Sequence, residues 1–181
     1  SLAKIALELG AEVYLITGPT SQKIKHPNLK QIDIISALDM FDKVKLYYKK
    51  VDIAIAAAAV SDFKPLETFN KKIKKEDDFT ILKLQKTNDI LDYMGKNKRN
   101  QFLIGFALES ENEINNAKQK LKNKKLDFIV LNSLKEKKGG FNSDKNKITI
   151  IKKNFSIIDF KLKSKINVDK DIFNEILNEI N

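Results

Sequence analysis

The sequence has no cysteine, one histidine, three prolines and a single arginine, and nowhere does an apolar run reach the length of a membrane span. Without cysteine there is no disulfide, no thiol nucleophile and no zinc–thiolate centre. A lone histidine, His26, excludes a two-histidine metal site, and beside Pro27 it reads as a surface-loop residue. Any metal must then be held by oxygen, with Mg2+ the natural candidate. The opening SLAKIALELG is a short amphipathic helix without the flanks of a signal peptide, so a soluble cytoplasmic protein with no membrane partner is the expectation. Also missing are GxGxxG and GxxxxGK[ST], so neither a dinucleotide fingerprint nor a P-loop is present in these residues.

What is present is 181 residues at 42% hydrophobic content, enough for one domain with a real core, with no repeat and no long linker. A formal charge of +10 invites a nucleic-acid reading. Arg99, however, is the one bidentate donor among 34 basic residues, and a lysine-dominated surface speaks first to solubility. A phosphorylated small substrate would profit from the same field, and no nucleic-acid partner is expected.

Apolar segments alternate between helical and strand spacing. Leu2, Ile5, Ala6 and Leu9 mark a helix that Gly10 can cap; Val13 to Thr17 and Leu29 to Ile34 read as strands; Ser36 and Asp39 open a helix carrying Ala37, Met40, Phe41, Val44 and Tyr48. A short unbroken run, Ile53 to Val60, reads as a buried strand. Phe79 to Leu84 suits a half-exposed strand or subunit-contact arm, and Thr87 or Asn88 is placed to cap a helix from Asp89. Phe102 to Leu108 is a buried strand whose Gly105 implies close approach by a ligand or neighbour; Ser110 and Glu113 have capping-box spacing; Leu126 to Leu131 is the next strand. Lys147 to Ile151 with Phe155 to Asp159 reads as a hairpin, and Val168 to Ile180 as a closing helix. The pattern predicts an α/β fold, a doubly wound, mostly parallel Rossmann-like sheet with a C-terminal β-hairpin and helix, binding ligands outside the carboxyl ends of its strands.

The stretch Val51 to Lys75 falls at such an end. Repeated alanines admit close approach to the backbone, Asp62 closes the run, Pro65 forbids continued central pairing, and Lys71, Lys72, Lys74 and Lys75 crowd around one isoleucine. An apolar strand, a carboxylate and an ammonium cluster suit a polyphosphate with Mg2+ shared by Asp62; the bland alternative is a solvated charge run. Lys120 and Lys124, one helical turn apart, either project together or make ordinary surface pairs, and Asp144 in GGFNSD reads as loop punctuation.

AAAVSDFKP (57–65), KIKK (72–75), TNDIL (87–91), GFALES (105–110), LDFIVLN (126–132) and GFNSDKN (140–146) occur together and in order. As a set they closely resemble phosphopantothenoylcysteine synthetase, the ligase half of the bacterial bifunctional coenzyme A biosynthesis flavoprotein. The resemblance implies a ligase in which the carboxylate of 4′-phosphopantothenate attacks the α-phosphate of CTP, giving an acyl-cytidylate and pyrophosphate. Cysteine's amine then displaces CMP to form the amide. By motif, Ala56, Ala57 and Ala58 resemble the strand end that contacts the nucleotide, and Asp62 its carboxylate ligand. Lys72 resembles the lysine that steadies the acyl-cytidylate. Gln85, Lys86, Thr87, Asn88 and Phe106 resemble further nucleotide contacts, and Lys120 and Lys124 the helix lysines near the phosphates. The resemblance further implies a homodimer and fusion to, or association with, a flavin-dependent decarboxylase. No FMN is expected in this chain, because that half is absent from it. A first strand and glycine-rich segment of the family, expected upstream of Ser1, are not in the sequence, so the resemblance implies that these 181 residues alone bind nucleotide weakly and fail to complete the ligation. The alternatives are a nicotinamide-dependent reductase on a related sheet and a basic polyanion-binding module.

Overall fold

The computed structural model of the protein describes residues 2–67, 81–133 and 145–180. Helix α1 (Leu2–Glu8) ends as its sequence requires: Gly10 takes φ +88°, and the amides of Gly10 and Ala11 donate to the carbonyls of Leu7 and Ala6. Strands β1 (Val13–Thr17) and β2 (Leu29–Asp33) pair in parallel. Helix α2 (Ala37–Tyr47) starts at a complete capping box in which Ser36 accepts from the Asp39 amide while the Asp39 carboxylate accepts from the Ser36 amide. The Ser36 contacts hold the Asp39 carboxyl below the usual range.

Strand β3 (Ile53–Ala56) stops earlier than the apolar run predicts; Ala57, Ala58 and Ala59 are exposed. An arm follows, made of β4 (Phe63–Pro65) and β5 (Leu84–Lys86), antiparallel to one another. Pro65 is thus in a strand, but in a two-stranded ribbon where its missing N–H costs little. The strand expected over Phe79 to Leu84 begins only at Leu84; Ile81 to Lys83 have no regular structure, and Phe79 lies outside the described residues. Helix α3 (Ile90–Lys96) is capped by Asp89, whose side chain accepts from the Asp92 amide, not by Thr87 or Asn88. Strand β6 (Phe102–Glu109) leads to α4 (Glu113–Asn123), whose N-cap is Asn112 in the left-handed region at φ 47°, with no side-chain cap bond. The Ser110 capping box therefore does not form: asparagine tolerates left-handed backbone and starts the helix two residues further on.

After β7 (Phe128–Ser133) come β8 (Lys145–Asn146), β9 (Ile148–Lys152), β10 (Ile157–Asp159), β11 (Lys163–Ser164) and α5 (Lys165–Ile180). The central sheet has the order β10-β9-β7-β6-β3, with β3–β6 and β6–β7 parallel and the β9–β10 hairpin antiparallel against β7. Among the described residues β1 and β2 form their own sheet, as do β8 and β11.

Alternation along the central strands sends Ala54, Leu103, Ala107, Ile129 and Leu131 to one face, covered by Met94, Ala117 and Leu121 of α3 and α4. Ile104, Phe128, Val130, Ile148 and Ile150 go to the other face, covered by Ile5 of α1 and by Val168, Ile172, Phe173 and Ile176 of α5. The sheet is therefore wound on both sides, as predicted. Gly105 owes its identity to the first face: a Cβ there would lie 2.8 Å from Leu126 Cδ1 and 3.2 Å from Leu91 Cδ2, so neighbouring side chains fill the space. No helix among the described residues is long and apolar enough to cross a membrane.

Candidate active site at the carboxyl ends of the parallel strands

Register defines a notch in the sheet. β3 pairs with β6 from Ile53 opposite Phe102 to Ala56 opposite Gly105, and among the described residues β6 then runs on alone on that side to Glu109. The Phe102 amide donates to Asp52 of the β3 side, whereas the Leu103 carbonyl accepts from Asp127 of the β7 side. By alternation, Ile104, Phe106 and Leu108 also point their backbone groups toward β3. The Phe106 carbonyl is thus the first to pass the end of the paired stretch. Lys120, from α4, donates its ammonium to that carbonyl at 3.0 Å. The end of β3 at Ala56, the Phe106 backbone and Lys120 come together here, with Ala57 and Ala58 exposed just beyond the strand end, while the Phe106 ring packs on the opposite face with the α5 core.

The root of the arm is tied to the same end. The Thr87 amide donates to the Asp62 carbonyl at 2.9 Å, and its hydroxyl to the Ser61 carbonyl at 2.6 Å. Gln85 lies opposite Lys64 and Lys86 opposite Phe63 in the ribbon. Asn88 and the Asp62 side chain are exposed. Thr87 thereby serves as a clasp closing the arm, which a cap assignment from sequence overlooked.

Lys124 does not accompany Lys120. Its ammonium lies 2.7 Å from Asp89 and 3.4 Å from Asp92, both at the start of α3, and Lys96 holds Asp92 from the other side at 2.7 Å. For the Asp89 carboxyl, burial opposes ionisation, but the Lys124 and Asp92-amide hydrogen bonds outweigh it and hold the pKa below the usual range. Lys124 is raised for the matching reason: burial lowers it, and the hydrogen bond and charge of Asp89 more than compensate. The bland alternative, pairing, holds for Lys124, and of the two helix lysines Lys120 is the one at the notch.

Lys72, with Lys71, Lys74, Lys75 and Asp144, lies outside the described residues. His26 is an exposed loop residue whose Nδ1 accepts from the Asn28 amide. No cluster of three or more His, Asp or Glu among the described residues stands ready to grip a metal. The single carboxylate of Asp62 fits the way Mg2+ is held by one or two carboxylates together with substrate phosphates.

Sequence reasoning missed Asp89, Asp92, Glu109 and Asn116. The Asn116 amide donates to Glu109 Oε2 at 3.2 Å and to the Glu111 carbonyl at 3.0 Å, one helical turn before Lys120 reaches Phe106. The i, i+4 spacing of Asn116, Lys120 and Lys124 was the available signal for a helix face turned to the strand ends.

Comparison with known proteins gives consistent results. The family model described as the DNA/pantothenate metabolism flavoprotein C-terminal domain matches residues 1–180. A cysteine/cysteine sulfinic acid decarboxylase from an unknown prokaryotic organism is 46% identical over 98% of this chain and 50% of its own length. The coenzyme A biosynthesis bifunctional protein CoaBC of Bacillus subtilis (strain 168) is 40% identical over 97% of this chain and 43% of its own. A crystal structure of the C-terminal domain of a CoaBC protein superposes with a TM-score of 0.82 at 31% identity, covering 99% of this chain and 80% of that one. The chain spans about half the length of the curated relatives it matches.

Proposed function

The chain belongs to the DNA/pantothenate metabolism flavoprotein C-terminal domain family, the phosphopantothenoylcysteine synthetase domain, and on that premise we propose that it acts in coenzyme A biosynthesis as a ligase joining 4′-phosphopantothenate to cysteine at the expense of CTP. The observation that carries the reading is the notch: a strand that stops at Ala56, beside a longer strand whose freed carbonyl at Phe106 holds a lysine. Ligands of doubly wound sheets bind outside the carboxyl ends of the strands, the end at which this notch lies.

Formation of an acyl-cytidylate needs the carboxylate oxygen in line with the α-phosphorus and pyrophosphate leaving opposite; positioning and charge neutralisation carry most of such a step. Alanines at 56–58 present backbone to the nucleotide without side-chain bulk. Lys120 can exchange the Phe106 carbonyl for a phosphate oxygen, a stronger partner because it is charged. Asp62 would hold Mg2+ against the phosphates; when bound, the ion neutralises charge on them. Lys72 steadies the acyl-cytidylate in this reading, and Gln85 to Asn88 line the nucleotide side of the arm root.

The arm itself carries exposed Phe63, Leu66, Leu82 and Leu84, an apolar surface suited to a second copy of the chain, so the working unit in this reading is a homodimer. A flavin-dependent decarboxylase, fused or associated, would supply the preceding or following step. The test is pyrophosphate release from CTP, Mg2+ and 4′-phosphopantothenate, first without and then with cysteine, with ATP replacing CTP to read the base preference. Release with the first mixture and amide formation with the second are expected of the protein carrying the family's upstream segment, and weak nucleotide binding without ligation of residues 1–181 alone; absence of both activities from the longer protein overturns the reading.

A further inference from the structure

We propose that Glu109 receives the amino group of the incoming amino acid and takes its proton; this assignment rests on the ligase reading. Glu109 is the last residue of β6, the strand that overruns β3, and so stands at the carboxyl end of the sheet. By strand alternation its side chain shares a face with Gly105 and Ala107, the face covered by α4. Asn116 orients the carboxylate by donating to Oε2 at 3.2 Å while anchored to the Glu111 carbonyl at 3.0 Å. The other oxygen has no hydrogen-bond partner among the described residues, and the residue is half-buried.

Charge favours the role. The cations at this end suit the nucleotide, whereas the amino acid arrives with an ammonium group that needs a carboxylate. Asp89 and Asp92 are occupied by Lys124 and Lys96, and Asp62 lies on the arm side, where the nucleotide reading uses it. Among the described residues at the carboxyl end of the central sheet, Glu109 is the oriented carboxylate not claimed by a lysine. From Phe106, where Lys120 is anchored, to Glu109 is about 10 Å along the strand at roughly 3.3 Å per residue, room for a phosphate, the acyl carbon and the attacking nitrogen.

In the step itself, the ammonium gives one proton to Glu109 and becomes nucleophilic. Its lone pair forms the C–N bond, the bond between the acyl carbon and the phosphate oxygen breaks with its electron pair leaving on CMP, and the nitrogen's second proton passes to water. A positioned base contributes about 100-fold or more to such a transfer.

The experiment separates the two half-reactions in the full chain. Glu109→Gln should leave cysteine-independent pyrophosphate release within about twofold of wild type and slow cysteine-dependent CMP release about 100-fold, with a raised KM for cysteine. Glu109→Asp should restore part of the loss, and Asn116→Ala, which frees the carboxylate without removing it, should slow the same step about tenfold. Equal loss in both half-reactions, or an unaltered cysteine step, overturns the assignment and leaves Glu109 a structural partner of α4. A wild-type protein that carries the family's upstream segment and still releases no pyrophosphate overturns the ligase reading, and this assignment with it.

Discussion

Lys124 of α4 and Asp89 of α3 are 35 residues apart in the chain, yet their charged groups meet at 2.7 Å, and Asp89 is at the same time the N-cap of α3. One carboxylate thus starts a helix and fastens it to the next. The backbones meet as well: a Cβ on Gly95 of α3 would lie 2.0 Å from the Lys124 carbonyl oxygen. The two helices that cover one face of the sheet are locked at both levels.

The pair makes stability depend on pH in a stated direction. Asp89 is held below the usual carboxylate range, so its contribution is complete above its unfolded pKa of about 3.9 and is lost as pH falls through the lower folded value. Lys124 is raised, so its contribution is present below about 10.4 and fades as pH rises through the folded value. Lys124→Met should lower Tm at neutral pH by a few degrees, about 1 kcal/mol because Asp89 is half exposed, and flatten the acid limb. Thermal melts across the acid range check this; an acid limb parallel to wild type counts against it.

Lys120 should matter differently. Its partner is one carbonyl that water can satisfy, so Lys120→Met is expected to leave Tm nearly unchanged and raise the KM for CTP about tenfold, the scale of one charge-assisted hydrogen bond. By motif, Lys72→Gln should slow product formation with folding intact, while Lys75→Gln is tolerated. Equal effects at 72 and 75 would return that cluster to a solvated face.

Gly95→Ala should be among the most damaging small substitutions in the chain. The clash is with backbone, which cannot rotate away, and a loss of about 3 kcal/mol or more is expected in denaturant unfolding. Gly105→Ala meets only the tips of Leu126 and Leu91 and should cost about 1–2 kcal/mol.

The arm offers a direct test of assembly. Leu82 and Leu84 are 60% and 54% exposed, and replacing both with lysine should shift a dimer toward monomer in sedimentation velocity while the isolated subunit keeps its melting temperature. A dimer of unchanged stability would move the interface elsewhere.

Much of this molecule was legible along the chain because the signals were local. Apolar periodicity marked the strands at Val13 and Phe102, Ser36 and Asp39 supplied a helix start that forms in full, and Gly10 stopped a helix as its left-handed φ allows. The ordered motifs also identified the family. Local signals failed where a neighbour decides. A run of alanines has no preference for where a strand stops, and β3 ends at Ala56 because pairing with β6 ends there, not because the composition changes. Thr87, Asn88 and Asp89 are all cap residue types in a row; Thr87 is spent on Ser61, across the arm, and Asp89 begins α3. Nor can spacing on one helix say that Lys124 is claimed by α3 while Lys120 turns to a strand edge. By itself the sequence determined most helices and central strands, the doubly wound class and the family, since periodicity and motif order are properties of the chain. Only the tertiary structure decided which carboxylates remain unpaired and where a backbone carbonyl is left without a strand. Both depend on groups brought together from distant positions, at a cost in chain entropy that packing of the whole sheet offsets.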